Sequence, residues 1–378
     1  MAAVAVSFQH FPDWAGRYSF KMASHGVRRF KPVEKTPEER QQELQKIDEY
    51  KSLERLVSEK VAQQEYTVET LKEISDLLSR NPEYYTVWNY RRQVLRHQFS
   101  NAGDSANEES SKKVAELIKN DLIFLMPLLR SFPKCYWIWN YRLWLLDEAR
   151  RLLPLTMSRQ LWQEELVLVG KMLTLDSRNF HGWGYRRLVV ETLKQLGTPA
   201  ESANMTQKEF EYAKKMIGAN LSNFSAWHYR TKLIQRLLEE QAASDEERKK
   251  MLDDELVLIH QALIDPYDQS LWFYHQNLMC VFDPAMASRT MAPNLSTSER
   301  LQYLRHEIEA IQEMLDGAED CKYIYQALIE CTLLVSKVAG QLSAEDREQI
   351  LSWLSELKQL DPLRKQRWLD FEKALPSA

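Results

Sequence analysis

Glycine is in short supply in this chain, with 10 in 378 positions, against an ordinary usage of ~7%. Hairpins and the phosphate-binding turns of doubly wound sheets consume glycine, so the shortage argues for helices joined by short links. Cysteine forms no motif. Cys135, Cys280, Cys321 and Cys331 are scattered without a CxxC pair, which excludes a zinc ribbon or a dithiol redox centre and fits a reducing compartment, here the cytoplasm. No apolar run reaches the length of about 18 residues that a membrane helix needs. Positive charge is not in excess either. Fifty Lys and Arg stand against 54 Asp and Glu, a net charge of −4, which lacks the basic footprint of a nucleic-acid binder. Also missing are HExxH, GxxxxGK and GxSxG. Glutamates such as Glu164 and Glu165 fall in amphipathic patterns, where a solvated face is expected. Taken alone, the chain reads as a scaffold with no active site of its own.

What is present is tryptophan, 11 in all, at a regular spacing. Five segments align: YYTVWNYRRQVL (84–95), CYWIWNYRLWLL (135–146), NFHGWGYRRLVV (179–190), NFSAWHYRTKLI (223–234) and DQSLWFYHQNLM (268–279). Their tryptophans, Trp88, Trp139, Trp183, Trp227 and Trp272, lie 51, 44, 44 and 45 residues apart. The long first interval contains NAGDSANEESSK (101–112), which reads as a loop insertion. Ahead of the segments run further helical patterns, such as ETLKEISDLL (69–78), ELVLVGKML (165–173) and ELVLIHQAL (255–263). Each unit is therefore a pair of antiparallel helices, A and B. Pro82, Pro133 and Pro266 fall in the A–B link, and Asn179, Asn223 and Asp268 stand where helix B needs an N-cap. AEDCKYIYQALIECTLL (318–334) reads as a degenerate sixth helix B, and LSWLSELKQLDPLRKQRWLDFEK (351–373) restores the pattern around Trp368. The expectation is an all-α, right-handed alpha-alpha superhelical solenoid with a period of about 44 residues. It would occupy 37–378 as one crescent-shaped domain behind an N-terminal extension, 1–36.

Place within the unit separates architecture from chemistry. Tyrosine recurs two after the tryptophan, and arginine three after it as Arg91, Arg142, Arg186 and Arg230, with His275 in the fifth unit. Offsets 0, 3 and 7 share one face of a helix, and offset 2 lies about 200° round. A helix with aromatics on two sides must pack on both, so these columns read as core, with each arginine paired to a carboxylate or a helix-end carbonyl of a neighbouring unit. The stretch PKCYWIWNYRLWLL (133–146) is then mostly packing. Its lysine is different. Lys134, Arg178 and His181 lie ahead of or just inside helix B of units two and three, where backbone N–H groups and the positive end of the helix dipole favour an anion such as a diphosphate. The alternative is an ordinary surface lysine beside an arginine.

The WNYR, WGYR and WHYR segments resemble the alpha subunits of protein prenyltransferases, and the likeness covers about residues 37–373. Within that family the chain is similar to the Rab (type-2) geranylgeranyltransferase branch. The alpha subunit shared by farnesyltransferase and type-1 geranylgeranyltransferase typically reads NYQVWHHR in its second unit, with a glutamine that reaches the CaaX carboxylate. Trp137 stands at that place here. The tail LKQLDPLRKQRWLDFEK also looks like the end of the Rab-type subunit, and HGVRR (25–29) resembles its start, which would leave 1–21 as an extension.

The resemblance implies a heterodimer whose zinc lies in the beta subunit, with no cofactor in this chain. The heterodimer would transfer geranylgeranyl from geranylgeranyl diphosphate to C-terminal cysteines of Rab GTPases presented by an escort protein. It implies that Lys134 stabilises the leaving diphosphate, with Tyr136, Arg178 and His181 on the same rim. Tyr85, Trp88, Trp139, Arg142, Phe180, Trp183, Arg186, Trp227, Arg230 and Trp272 would form the beta-subunit interface or the repeat core. Phe180 replaces a tyrosine of the shared subunit, so a hydroxyl role there is lost. His25 would approach the beta-subunit zinc if residues 1–21 are absent. The immunoglobulin-like and leucine-rich additions of animal Rab-type subunits have no counterpart in the pattern. The alternatives are the shared alpha subunit itself and a non-catalytic helical-repeat scaffold.

The basic, acid-poor residues 1–31 read either as a transit peptide or as an extension ahead of a second start at Met22. Few serines favour the extension.

Overall fold

The computed structural model describes residues 35–102 and 108–375. Among them the chain is helical throughout: α1 (Pro37–Ala62), α2 (Val68–Arg80), α3 (Tyr85–Asn101), α4 (Glu108–Ser131), α5 (Tyr136–Leu152), α6 (Leu155–Leu175), α7 (Phe180–Gln195), α8 (Pro199–Ala219), α9 (Phe224–Glu240), α10 (Asp245–Ala262), α11 (Gln269–Met279), α12 (Thr297–Glu313), α13 (Lys322–Ala339), α14 (Ala344–Leu360) and α15 (Lys365–Ala374). The residues fall into two compact units, one up to Pro154 and one from Leu155. In the first, α2 packs on α3 and α4 on α5. In the second, α6 packs on α7, and the same pairing repeats through α8–α9, α10–α11, α12–α13 and α14–α15.

The two helix types start differently. Several A helices open on a hydroxyl-x-x-Glu capping box: Thr198 with Glu201 in α8, Ser244 with Glu247 in α10 and Ser296 with Glu299 in α12. Each box satisfies two backbone donors reciprocally. Helices B open after the short A–B link, which carries Pro82, Pro133 or Pro266 before α3, α5 and α11. Asn179, Asn223 and Asp268 cap α7, α9 and α11 as the spacing requires. Gly340 closes α13 at φ 87°, a left-handed stop that favours glycine.

The 101–112 insertion is smaller than expected. Asn101 still belongs to α3, and 108–112 already form the first turns of α4, where Glu108–Lys112 and Glu109–Lys113 pairs support the helix. The sixth helix B is real. In α13, Tyr325 stands where tryptophan stands elsewhere, and Ala327 and Leu328 take the tyrosine and arginine places.

One connection has no counterpart in the repeat. Between α11 and α12 the chain makes two short 3-10 turns, Cys280–Phe282 and Ala287–Arg289. Arg300 ties this segment down by donating to the carbonyls of Leu295 (3.0 Å), Pro293 (3.0 Å) and Val281. Arg248 donates to Met291 O at 3.2 Å.

Candidate functional site

The tryptophan column is core. Trp88, Trp139, Trp183, Trp227 and Trp272 are all buried, and each indole N–H donates to the carbonyl six residues earlier. The acceptors are Pro82 (2.8 Å), Pro133 (2.9 Å), Ser177 (2.8 Å), Leu221 (2.8 Å) and Pro266 (2.6 Å). Each bond closes the A–B link onto the first turn of helix B. Tyr325 preserves it in the sixth unit, its hydroxyl donating to Glu319 O at 2.8 Å.

Arg91, Arg186 and Arg230 do pair with carboxylates of the next helix pair, and tyrosine joins them. Arg91 grips Asp121 on α4, which also accepts from Tyr141 on α5 at 2.7 Å. Arg186 forks onto Glu209 on α8 (Nε 2.8 Å), which also accepts from Tyr229 (3.3 Å). Arg230 forks onto Glu255 on α10 (Nε 2.8 Å), which also accepts from Tyr274. Arg142 donates to Leu122 O at 2.9 Å. A second contact links successive units, because Trp88 meets Tyr141 and Trp227 meets Tyr274 with ring centroids 4.8 and 4.5 Å apart. Burial and the adjacent carboxylate both raise the Tyr229 hydroxyl, so it stays a donor. The carboxylates are the members that the sequence reading missed. Glu165 is 3% exposed and accepts from Tyr185 at 2.5 Å, so the solvated face expected of it is wrong, while Glu164 does face water. The signal was an acid recurring with the tryptophan period: Asp121, Glu165, Glu209, Glu255 and Glu307.

The rim is different in kind. Tyr85, Tyr136, Phe180 and Phe224 are each the first residue of a helix B, and each is about half or more exposed. Each stands three residues, about one turn, ahead of the tryptophan of its own helix. In the first unit, Tyr85 stacks on Trp137 at 5.4 Å, and Tyr136 meets the same indole edge-on at 5.3 Å. Lys134 is exposed in the turn immediately before them. Cys135, at the N-cap of α5, makes no side-chain cap bond, and its thiol instead donates to Pro82 O at 3.4 Å. The start of α5 therefore combines an ammonium group, a dipole end without a side-chain cap and an aromatic wall.

In the second unit, Arg178, Phe180 and His181 share the start of α7. The rings of Phe180 and His181 lie 4.0 Å apart. Here the cap is made, since Asn179 Oδ1 accepts from His181 N (3.0 Å) and Gly182 N (3.3 Å). Phe224 meets Phe273 at 5.9 Å in a shallow groove of about 220 Å³ with His228 and Asn277. Lys134 thus belongs to one compact unit, and Arg178 with His181 to the other. His25 lies outside the described residues.

Among the described residues, no group of three or more His, Cys, Asp or Glu is placed to hold a metal, and no helix is long and apolar enough to cross a membrane. The thiols are also poor donors. Burial pushes Cys135 up to about 11 and raises Cys321 and Cys331 as well.

A protein prenyltransferase alpha subunit repeat model matches residues 69–98, 118–149, 162–193 and 206–237. Each matched block spans parts of both helices of one pair. Geranylgeranyl transferase type-2 subunit alpha of Saccharomyces cerevisiae is 32% identical over 350 residues, 91% of this chain and 98% of that protein. The Schizosaccharomyces pombe protein of the same name is 34% identical over 93% of this chain and 98% of its own length. The Candida albicans one is 39% identical over 159 residues, 42% of this chain and 40% of that protein. Among solved structures, Candida albicans protein geranylgeranyltransferase-I complexed with GGPP aligns with a TM-score of 0.60 at 20% identity, covering 87% of this chain and 91% of that one. At that identity the likeness speaks for the fold alone.

Proposed function

The chain belongs to the family of type-2 geranylgeranyltransferase alpha subunits, built from protein prenyltransferase alpha repeats, and from that premise we propose that it acts as the alpha half of a heterodimeric Rab geranylgeranyltransferase. The beta subunit carries the zinc and seats on the exposed aromatics that open the B helices. The pair moves a geranylgeranyl group from its diphosphate to C-terminal cysteines of Rab GTPases delivered by an escort protein. Zinc, when bound in the beta subunit, would lower the pKa of the acceptor cysteine thiol and so favour its thiolate. This chain's buried, high-pKa thiols and scattered carboxylates do not fit that role.

The observation that carries the reading is Lys134 in the turn before α5, beside the uncapped start of that helix. As the bond between C1 and the bridging oxygen breaks, negative charge builds on the diphosphate. An ammonium group and oriented backbone N–H groups at that point stabilise the charge where it develops. Tyr136 and Trp137 wall the site and hold water away from the first isoprene unit. Trp137, occupied by its stack on Tyr85, supports the Rab-type reading, because an indole does not replace the glutamine that a CaaX carboxylate requires.

Co-expression with each kind of prenyltransferase beta subunit tests this. The expected result is co-purification with the Rab-type chain and transfer that depends on an escort protein. In that heterodimer Lys134→Ala should lower kcat by about a hundredfold, taking a single lost oxyanion-type contact as the guide. Its effect on stability should stay within about 0.5 kcal/mol. Transfer to a CaaX peptide by a heterodimer with a farnesyltransferase beta chain would move the assignment to the shared subunit. Failure to bind any beta chain would leave a scaffold.

A further inference from the structure

The carboxylate at the α11–α12 junction is held unlike the others. Glu209 and Glu255 each receive both arms of a guanidinium and a tyrosine hydroxyl. Glu307 on α12 is as deeply buried, yet the arginine place holds His275 and the tyrosine place holds Ala327. Its Oε2 takes two imidazoles instead, His275 Nε2 at 3.1 Å and His260 Nε2 of α10 at 3.0 Å. Its Oε1 is buried with no hydrogen-bond partner. A guanidinium keeps its charge at any physiological pH, whereas imidazoles change charge near neutrality.

We propose that this junction is a proton-sensitive joint, in which charging of His260 tightens the seating of α12–α13 against α10–α11 and its discharge loosens it.

The surroundings decide the direction. From α10 the neighbouring charge is Glu255, already neutralised by Arg230 of α9 and bonded to Tyr274 of α11. From α11, the edge of Trp272 lies 5.7 Å from His275. From α13 come Cys331, its thiol raised by burial and by Glu307, and Glu330, raised by burial and opposed by His275 and by Arg367 of α15. Gln276 also donates to Glu330 at 3.0 Å. The one carboxylate at the joint without a permanent cation is Glu307. Burial works to raise it, but the bonds from His260 and His275 prevail and hold it at about 2. The bond to Glu307 raises His260 above its ordinary 6.5. The His260 contribution is therefore complete below pH 6.5 and drains away as pH rises through its higher folded value. The Glu307 contribution is complete above its ordinary 4.5 and is lost only on strong acidification toward 2. The joint is tightest between those limits and loosens from neutral to mildly alkaline pH.

Hydrogen exchange of the full chain between pH 6 and 8, corrected for intrinsic base catalysis, tests the proposal. Opening constants for α12–α13 amides should rise across that range as His260 loses its proton. Those of α8–α9, clamped by Arg186 and carrying His228, whose pKa burial lowers, should not rise in the same sample. His275→Arg, whose second arm can reach Glu307 Oε1, should flatten the α12–α13 profile. His260→Gln, at a part-exposed site, should remove most of its slope. Equal slopes for α12–α13 and α8–α9 in the unaltered chain would overturn the proposal whether or not either variant folds, and so would an unchanged slope in both variants.

Discussion

At each of the five matched helix starts, an indole N–H reaches the carbonyl six residues earlier, a bond that phenylalanine cannot make. The recurring tryptophan is thus both a large apolar filler and the clasp of the A–B link. The two parts can be separated at Trp183. Trp183→Phe keeps most of the ring but leaves Ser177 O without its donor, at a cost of about 1–2 kcal/mol. Trp183→Ala also empties the site and should cost about 3–5 kcal/mol. Urea midpoints at constant m-value measure both. A phenylalanine variant as stable as the parent would mean that the clasp contributes nothing. The same scale explains Trp137 and Trp139, two residues apart on α5. Trp139 points into the core and bonds Pro133 O, whereas Trp137 lies on the rim against Tyr85. Both are legible as aromatic in the sequence, but only the helical offset separates them.

Between elements, the unit of cohesion is an arginine from one helix pair, a carboxylate from the next helix A and a tyrosine from the next helix B. Arg186, Glu209 and Tyr229 form one such set inside the second unit. Arg186 also lies over the Tyr212 ring at 3.5 Å. Buried ion pairs contribute little net stability, but breaking one strands a charge. Arg186→Met should therefore cost about 3–5 kcal/mol, and adding Glu209→Met should recover most of the loss. A double-mutant cycle by denaturant unfolding reads the coupling. Strict additivity would show that Glu209 finds another partner when the guanidinium is gone. The arginine column and its need for a partner follow from the helical wheel. The identity of the partner does not, because an acid on an amphipathic helix is solvated by default, and its burial depends on what the neighbouring pair delivers to it.

For the whole molecule, the four thiols report on how tightly the pairs close. Cys135, Cys321 and Cys331 are buried, and Cys280 is partly exposed. Burial also keeps the thiols protonated, Cys135 up to about 11. In the folded chain at pH 7.5, a maleimide should modify Cys280 alone, and the other three should react only as denaturant opens the helix pairs. Mass spectrometry of the labelled peptides checks this. Rapid labelling of Cys331 without denaturant would contradict a closed α12–α13 pair. Cys135 and Cys321 occupy the same N-cap place in the second and sixth helices B, each with its thiol directed to the link carbonyl of the preceding pair, Pro82 O or Pro266 O.

The sequence by itself determined that this is an all-helical repeat protein, the order of its helix pairs, and which family it belongs to. Those properties rest on local signals that recur: the tryptophan period, the Asx caps and the link prolines. Only the tertiary structure decided which carboxylates are buried and that two histidines share Glu307. It also settled that the segment between α11 and α12 is held by Arg300 and Arg248 through backbone carbonyls. The physical reason is the same in each case. A charge is stable away from water only if partners from other elements meet it, and those partners lie tens of residues away, as His260 does from Glu307 at a separation of 47. No pattern within one helix specifies that meeting. The packing of consecutive pairs does.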